Sequence, residues 1–331
     1  MKREQQRGIA AAITIVNTFG IAVACAQMSD VAKDYPNKPI RIIVGFTPGG
    51  GPDITARWVA QRLTEAWKHQ VIVDNRPGAG GTVGANLAAN ASPDGYTLLS
   101  VSSAHAVAAA IYAKLPYDTK KDLTGITQTA TSKYLLVAAP SLGVRSVKEL
   151  IALAKSKPGQ LNFSSAGVGS GTHFAAEQFK ALANINVMHV PFKGIPEAVT
   201  ETLSGRVQYF MSPMANSVNL VKEGKLIALG VSSLQRDALV PDVPTITEAG
   251  VPGYQSELWF GLLTAARVPK PVLARLNGEL RRILSEADVK QRWTPIGLEP
   301  RPTTPVEFDK RVADDIELFT KIARAAHIKA E

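Results

Sequence analysis

The chain has 331 residues, 45% of them apolar, a formal charge of +9 and a single cysteine. One cysteine excludes an internal disulfide, so stability must come from buried apolar surface, and the length suits about two domains. The basic excess is scattered, without Lys/Arg blocks or interleaved aromatics, which argues against nucleic-acid binding.

Residues 1–26 read as a secretory leader. Lys2, Arg3 and Arg7 make a basic start, residues 8–24 are mostly apolar with Asn17 and Thr18 near the middle, and Ala24, Cys25 and Ala26 put small residues at an A-x-A site. The expectation is cleavage after Ala26 and export to the periplasm. A lipoprotein attached through Cys25 is the alternative, with Ala22 a poor match to the bulky residue usual three positions before a lipidated cysteine. The apolar stretch is shorter than the roughly 20 residues that span a bilayer. The mature chain from Gln27 keeps 305 residues, no cysteine and a charge of +7.

From there apolar strands alternate with amphipathic helices, the pattern of an α/β fold with largely parallel sheets. Residues 40–44 (IRIIV) read as a strand, FTPGGGPD (46–53) as a turn, and Ala56, Val59, Ala60, Leu63 and Trp67 as one face of a helix. Residues 71–73 make the next strand, NRPGAGGTVGAN (75–86) a second glycine-rich turn into a helix, and residues 96–101 a third strand entered through Pro93, Asp94 and Gly95. A similar unit recurs: a strand at 161–165, the loop AGVGSGTH (166–173), a helix face of Ala175, Phe179 and Leu182, and a strand at 187–190. The chain is expected to cross between halves near residues 128–136 and to return after the strand at 227–231, with helices near 271–285 and 305–326 packed on the first half. The organisation expected is a first lobe of residues 27–130 and 232–331 and a second lobe of residues 131–231.

Open α/β sheets bind ligands beyond the carboxyl ends of their strands, where the first turn of the next helix offers unpaired N–H groups. Gly49, Gly50 and Gly51 would keep side chains away so that backbone N–H groups meet a carboxylate or similar oxyanion; a plain tight turn is the other reading. Ser165, Ser170 and Thr172 add hydroxyl donors to the second loop. Lys193, after a strand end, and Ser212, in YFMSPMAN, are either site residues or ordinary surface and turn residues. Arg76 reads as a salt-bridged surface residue. The five histidines lack metal spacing, so no metal is expected; His173 and His105 each sit where a ligand contact or a packing role is open. No G-x-S-x-G, G-x-G-x-x-G or Walker sequence is present, so neither an enzyme motif nor a nucleotide cofactor is indicated. The competing reading is a secreted hydrolase or isomerase acting on a carboxylate ester or acid with His173 or His105 as base.

YPNKPIRIIV, FTPGGGPDITAR, NRPGAGGTVGAN, SPDGYTLL, SAGVGSGTHFAAE, HVPFKG, GRVQ, EGKLIALGVSS and VPTITEAGVPGY occur in this order. In this the sequence resembles the Bug family of extracytoplasmic solute receptors, the TctC-like substrate-binding components of tripartite tricarboxylate transporters, from about Tyr35 to the C-terminus. The resemblance implies a two-lobed, type II periplasmic-binding-protein fold that closes on a small carboxylate and hands it to membrane permease subunits. It implies a monomer, no catalytic residues and no cofactor. A sensor kinase is the alternative partner. It further implies that Phe46, Pro48, Gly49 and Gly50, together with Ser165, Ala166, Gly167, Ser170, Thr172 and His173, hold one carboxylate, partly through water. Lys193, Gly194 and Ser212 would lie across the cleft near the variable end of the ligand, with Ser103 and His105 at the rim. The chain departs from many members in having Ser212 and Pro213 where they carry Asp and Asn. A serine supplies no counter-charge for a buried ammonium, so the expected ligand is a dicarboxylate, tricarboxylate or aromatic acid without an amino group.

Overall fold

The computed structural model describes residues 34–329; the leader, Cys25 and the expected cleavage point lie outside the described residues. Strand β1 (Ile40–Val44) runs between β2 (Val71–Asn75) and β3 (Thr97–Ser102), parallel to both. Its pattern of near-continuous apolar residues follows from burial on both faces. Helix α1 (Gly51–Trp67) carries Pro52 in its first turn, where its fixed φ is suited, and packs Ala56, Val59, Ala60 and Leu63 inward. Helices α2 (Thr82–Ala89) and α3 (Ala104–Ile111) follow β2 and β3.

The two sheets share β4 (Leu123–Ala138), a strand of 16 residues. Its residues 123–133 pair antiparallel with β9 (Glu257–Ala265), which also pairs with β3; its residues 134–138 lie between β7 (Tyr209–Pro213) and β8 (Ile227–Val231). In the second lobe β5 (Asn162–Ser165) is parallel to β6 (Met188–Pro191) and β7. A short β10 (Leu298–Pro300) pairs with β4. The sheets are therefore mixed: parallel where strand–helix–strand units repeat, antiparallel around the crossing strand. The remaining helices are α4 (Val147–Ser156), α5 (Gly171–Ala183), α6 (Ile195–Leu203), α7 (Met214–Lys222), α8 (Lys270–Leu284), α9 (Ala287–Trp293) and α10 (Pro305–Ala325).

Helix α10 packs against the first sheet. The Phe308 ring meets Trp259 edge-on at 5.3 Å, and Trp259 Nε1 donates to Asp315 at 2.6 Å. Two expectations need correction. Leu182 is 46% exposed, because the helix buries its Ala175–Phe179 side only. The segment after Val231 does not go straight back to the first lobe: Ile246 donates to Val231, and Tyr254 donates to the Ala175 carbonyl at 3.1 Å while its ring meets Phe179. These contacts hold residues 232–254 against the second lobe, and the chain regains the first sheet only at β9.

Candidate functional site

The turn between β1 and α1 is set by one buried carboxylate. Gly49, at φ 89°, directs its N–H to Asp53 Oδ2 at 2.9 Å; the same carboxylate accepts from Asn75 Nδ2 and Arg57 Nε, each at 2.9 Å. Burial alone would raise the Asp53 carboxyl, but the hydrogen bonds from Arg57, Gly49 and Asn75 outweigh it and hold the group below its ordinary value. The Gly49 amide is thus spent on the turn. Among the described residues the N–H groups of Gly50 and Gly51, at the head of α1, meet no protein acceptor. A Cβ on Gly51 would come within 2.3 Å of the Phe260 ring, so this close approach requires glycine.

The facing turn, before α5, is tied by uncharged groups. Ser165 Oγ lies 2.6 Å from His189 Nε2 and accepts from the Gly167 amide at 3.0 Å. Ser170 caps the helix by accepting from His173 N, Thr172 Oγ1 accepts from Ala166 N, and the Gly169 amide donates to His173 Nδ1 at 3.3 Å. The rings of His173 and His189 stack at 4.2 Å against Phe163. Burial lowers His173 to about 4 and, with His173 and Lys180 nearby, His189 to about 3, so both rings are neutral at pH 7. The Gly171 and Thr172 amides of the first turn of α5 again meet no protein acceptor among the described residues.

Between these turns lies a narrow cleft of about 30 Å³. The first lobe contributes Phe46, Gly50, Gly51, Pro52, Ser102, Leu258 and Phe260; the second contributes Ala166, Ser170, Gly171, Thr172, Ile195 and Pro213; Tyr134 of the shared strand forms the floor. Ile195 opens α6 and Pro213 precedes α7, so the first turns of four helices meet here. None of the lining residues carries a charge. The helix ends supply partial positive charge instead, which suits an anion, while the apolar rings suit a hydrocarbon body.

The lobes are in contact around the cleft. Thr47 Oγ1 donates to Glu197 Oε2 at 3.1 Å, Asn216 Nδ2 to the Gly49 carbonyl at 2.8 Å, and the Tyr112 hydroxyl to the Val168 carbonyl at 3.2 Å. Gly194 sits where a Cβ would lie 1.7 Å from Thr47 Oγ1.

The sequence-level candidates thus separate. Phe46, Gly50, Ala166, Ser170 and Thr172 line the cleft; Gly49, Ser165, Gly167 and His173 shape the turns behind it. Pro48 is exposed at the rim and Gly194 lies in the contact between lobes. Lys193 is exposed and outside the lining, and Ser212 is fully buried beside it, with Pro213 taking the wall position. Ser103 meets the Tyr134 hydroxyl, and His105 faces a different cavity. Sequence reasoning missed Tyr134, Ile195, Leu258 and Phe260 as lining residues and Asp53 as the residue that fixes the first turn. Only Asp53 left a signal, as an acid in the first turn of a helix. Among the described residues no group of three or more His, Cys, Asp or Glu side chains is placed to hold a metal, and no helix is long and apolar enough to cross a membrane.

Comparison with known proteins agrees with this geometry. Residues 55–327 match the family described as the tripartite tricarboxylate transporter family receptor, TctC. Protein BugT of Bordetella pertussis is 31% identical over 319 residues, covering 95% of this chain and 98% of that protein. A protein of R. palustris solved with adipate superposes with a TM-score of 0.86 at 31% identity, covering 89% of this chain and 99% of that one. MatC from Rhodopseudomonas palustris, solved with bound malate, gives 0.84 at 32% identity, covering 87% and 99%. BugD, a periplasmic binding protein, gives 0.86 at 26% identity, covering 90% and 100%. The interlobe cleft and its uncharged, helix-capped walls therefore belong to a receptor and not to an enzyme: the chain is a member of the TctC family of tripartite tricarboxylate transporter receptors.

Proposed function

We propose that this chain is exported to the periplasm, captures a small carboxylate between its lobes and delivers it, as a monomer, to the permease subunits of a tripartite tricarboxylate transporter. The observation that carries the reading is the pairing of two helix first turns, Gly50 and Gly51 of α1 with Gly171 and Thr172 of α5, across a cleft with no charged lining residue. Charge balance for a bound carboxylate comes from N–H groups and helix dipoles. Bound adipate and malate in two similar structures support the ligand class. In the lobe assignment we adopt, residues 131–231 form the core of the second lobe, with residues 232–254 joined to it.

The ligand carries no amino group. A buried ammonium would find neither Asp nor Glu among the lining residues and would face the positive ends of four helices. Calorimetry of the mature chain with matched pairs tests both points, using succinate against aspartate and glutarate against glutamate. The acids without nitrogen are expected to bind; tighter binding of either amino acid overturns this assignment. Sequencing of the N-terminus after expression with the native leader checks export, with Gln27 as the expected first residue.

A further inference from the structure

The second glycine turn, residues 75–84, contributes nothing to the lining of the interlobe cleft, yet it braces the turn that does. A Cβ on Gly45 would come within 2.8 Å of the Gly81 Cα and carbonyl oxygen, and one on Gly84 within 2.8 Å of the Gly45 Cα, so backbone lies directly on backbone. A Cβ on Gly81, at φ 99°, would come within 3.0 Å of the Phe46 ring, which lines the cleft. At the head of this second turn stands Asn75, the last residue of β2 and the register partner of Val44. Its Nδ2 donates to the Phe46 carbonyl at 3.0 Å and to Asp53 Oδ1 at 2.9 Å, and its Oδ1 accepts from Arg57 Nη2 at 2.9 Å.

These three bonds fix the direction of the Asn75 amide. Arg57 only donates, while the Phe46 carbonyl and the ionised Asp53 carboxylate only accept, so the amide nitrogen faces the turn and the oxygen faces Arg57. Phe46 precedes the ligand-facing amides of Gly50 and Gly51 in the chain and Asp53 follows them, so one nitrogen ties both ends of the turn. We propose that Asn75 is a positioning residue for ligand binding: without touching the ligand, it holds the Phe46 wall of the cleft in fixed relation to the Gly50 and Gly51 amides that receive the carboxylate. An aspartate has the same shape and, when ionised, no hydrogen to give; it would also stand against the Asp53 carboxylate. The inference rests on the carboxylate reading above and adds to it the part that sets the geometry of the first turn.

The test is calorimetry of the mature chain with succinate and glutarate, at a temperature where ligand-free melting curves show each variant folded. At pH 8 Asn75→Asp sets two carboxylates against each other, and affinity is expected to fall about tenfold below that of the unaltered chain. Like charge makes such a pair take up one proton as pH falls, and the protonated carboxyl then donates to its neighbour. Expressed as a ratio to the unaltered chain at each pH, which cancels the ligand's own titration, the deficit is expected to shrink between pH 8 and pH 5. Arg57→Ala, at a side chain 53% exposed, removes the donor that orients the amide and is expected to lower affinity about threefold. If Asn75→Asp binds within about twofold of the unaltered chain at pH 8, or if its deficit is the same at pH 5, Asn75 serves the fold alone and the inference is overturned, while the carboxylate site stands. Should Asn75→Asp fail to fold, Arg57→Ala decides: the threefold loss supports the inference and unchanged affinity overturns it. If the unaltered chain binds neither acid, the carboxylate reading falls and this inference with it.

Discussion

In the turn at residues 46–52 the tie is a carboxylate. Asp53, 3% exposed, gathers the Gly49 amide, Asn75 and Arg57, and the tip of the turn stays exposed where it reaches the second lobe. In the turn at residues 165–173 the ties are hydroxyls and neutral imidazoles, and the turn is buried under its own lobe. Both leave two helix amides facing the cleft. The difference teaches that presenting N–H groups to an anion constrains the backbone only; the side chains that hold the backbone are free to differ, and with them the response to mutation and pH.

Asp53→Ala should have the largest effect. It strips a buried carboxylate from three donors, with an expected loss of about 3 kcal/mol in urea unfolding. A loss under about 0.5 kcal/mol would mean the turn stands without it. Next is Gly194→Val. Its backbone is extended at φ −171°, which any residue adopts, but its side chain would occupy the space of Thr47 Oγ1 in the closed lobes. Ligand affinity is expected to fall about a hundredfold by calorimetry, or about 2.7 kcal/mol, with ligand-free melting nearly unchanged. An equal fall in both would place the effect in folding and not in closure.

Acid should separate the two turns. Unfolded histidines take protons at about 6.5, while folded His173 and His189 resist until about 4 and 3. The unfolded state then binds more protons in that interval, so stability falls as pH drops from about 6.5. The Asp53 carboxyl is lowered, so its contribution is present above the unfolded carboxylate value of about 3.9 and is lost below it. Melting curves against pH should lose steepness above pH 4 in His189→Gln and below pH 4 in Asp53→Asn. Identical profiles for the two variants would remove the distinction. The smallest effect is expected for Lys193→Ala, less than about twofold in affinity, because this exposed lysine lies outside the cleft. A tenfold loss would return it to the site.

Much of the architecture was legible because local pattern and burial agree. The apolar run at β1 and the spacing of Ala56, Val59, Ala60 and Leu63 specify strand and helix with little tertiary input. The shared strand β4 was harder. LTGITQTATS shows no alternation, and its polar residues are buried through partners as distant as Thr303, whose carbonyl accepts from Thr127. The attachment of residues 232–254 to the second lobe depends on Tyr254 finding Ala175 and Phe179, pairings that only the fold creates. In the site, the glycine turns announced themselves because close approach needs glycine. Leu258 and Phe260 did not, since apolar residues of a strand look alike whether they face a core or a cleft. His105 reads as a rim residue from its position after β3, but its ring lines a separate small cavity within the first lobe.

A crystal structure of the mature chain with bound succinate or glutarate tests the central claim most directly. Carboxylate oxygens are expected within hydrogen-bond distance of the Gly50 or Gly51 amide on one side and the Gly171 or Thr172 amide on the other, directly or through one water. A carboxylate paired with Lys193, or lodged in the polar groove by Lys133 and Arg301 behind the shared strand, would contradict it.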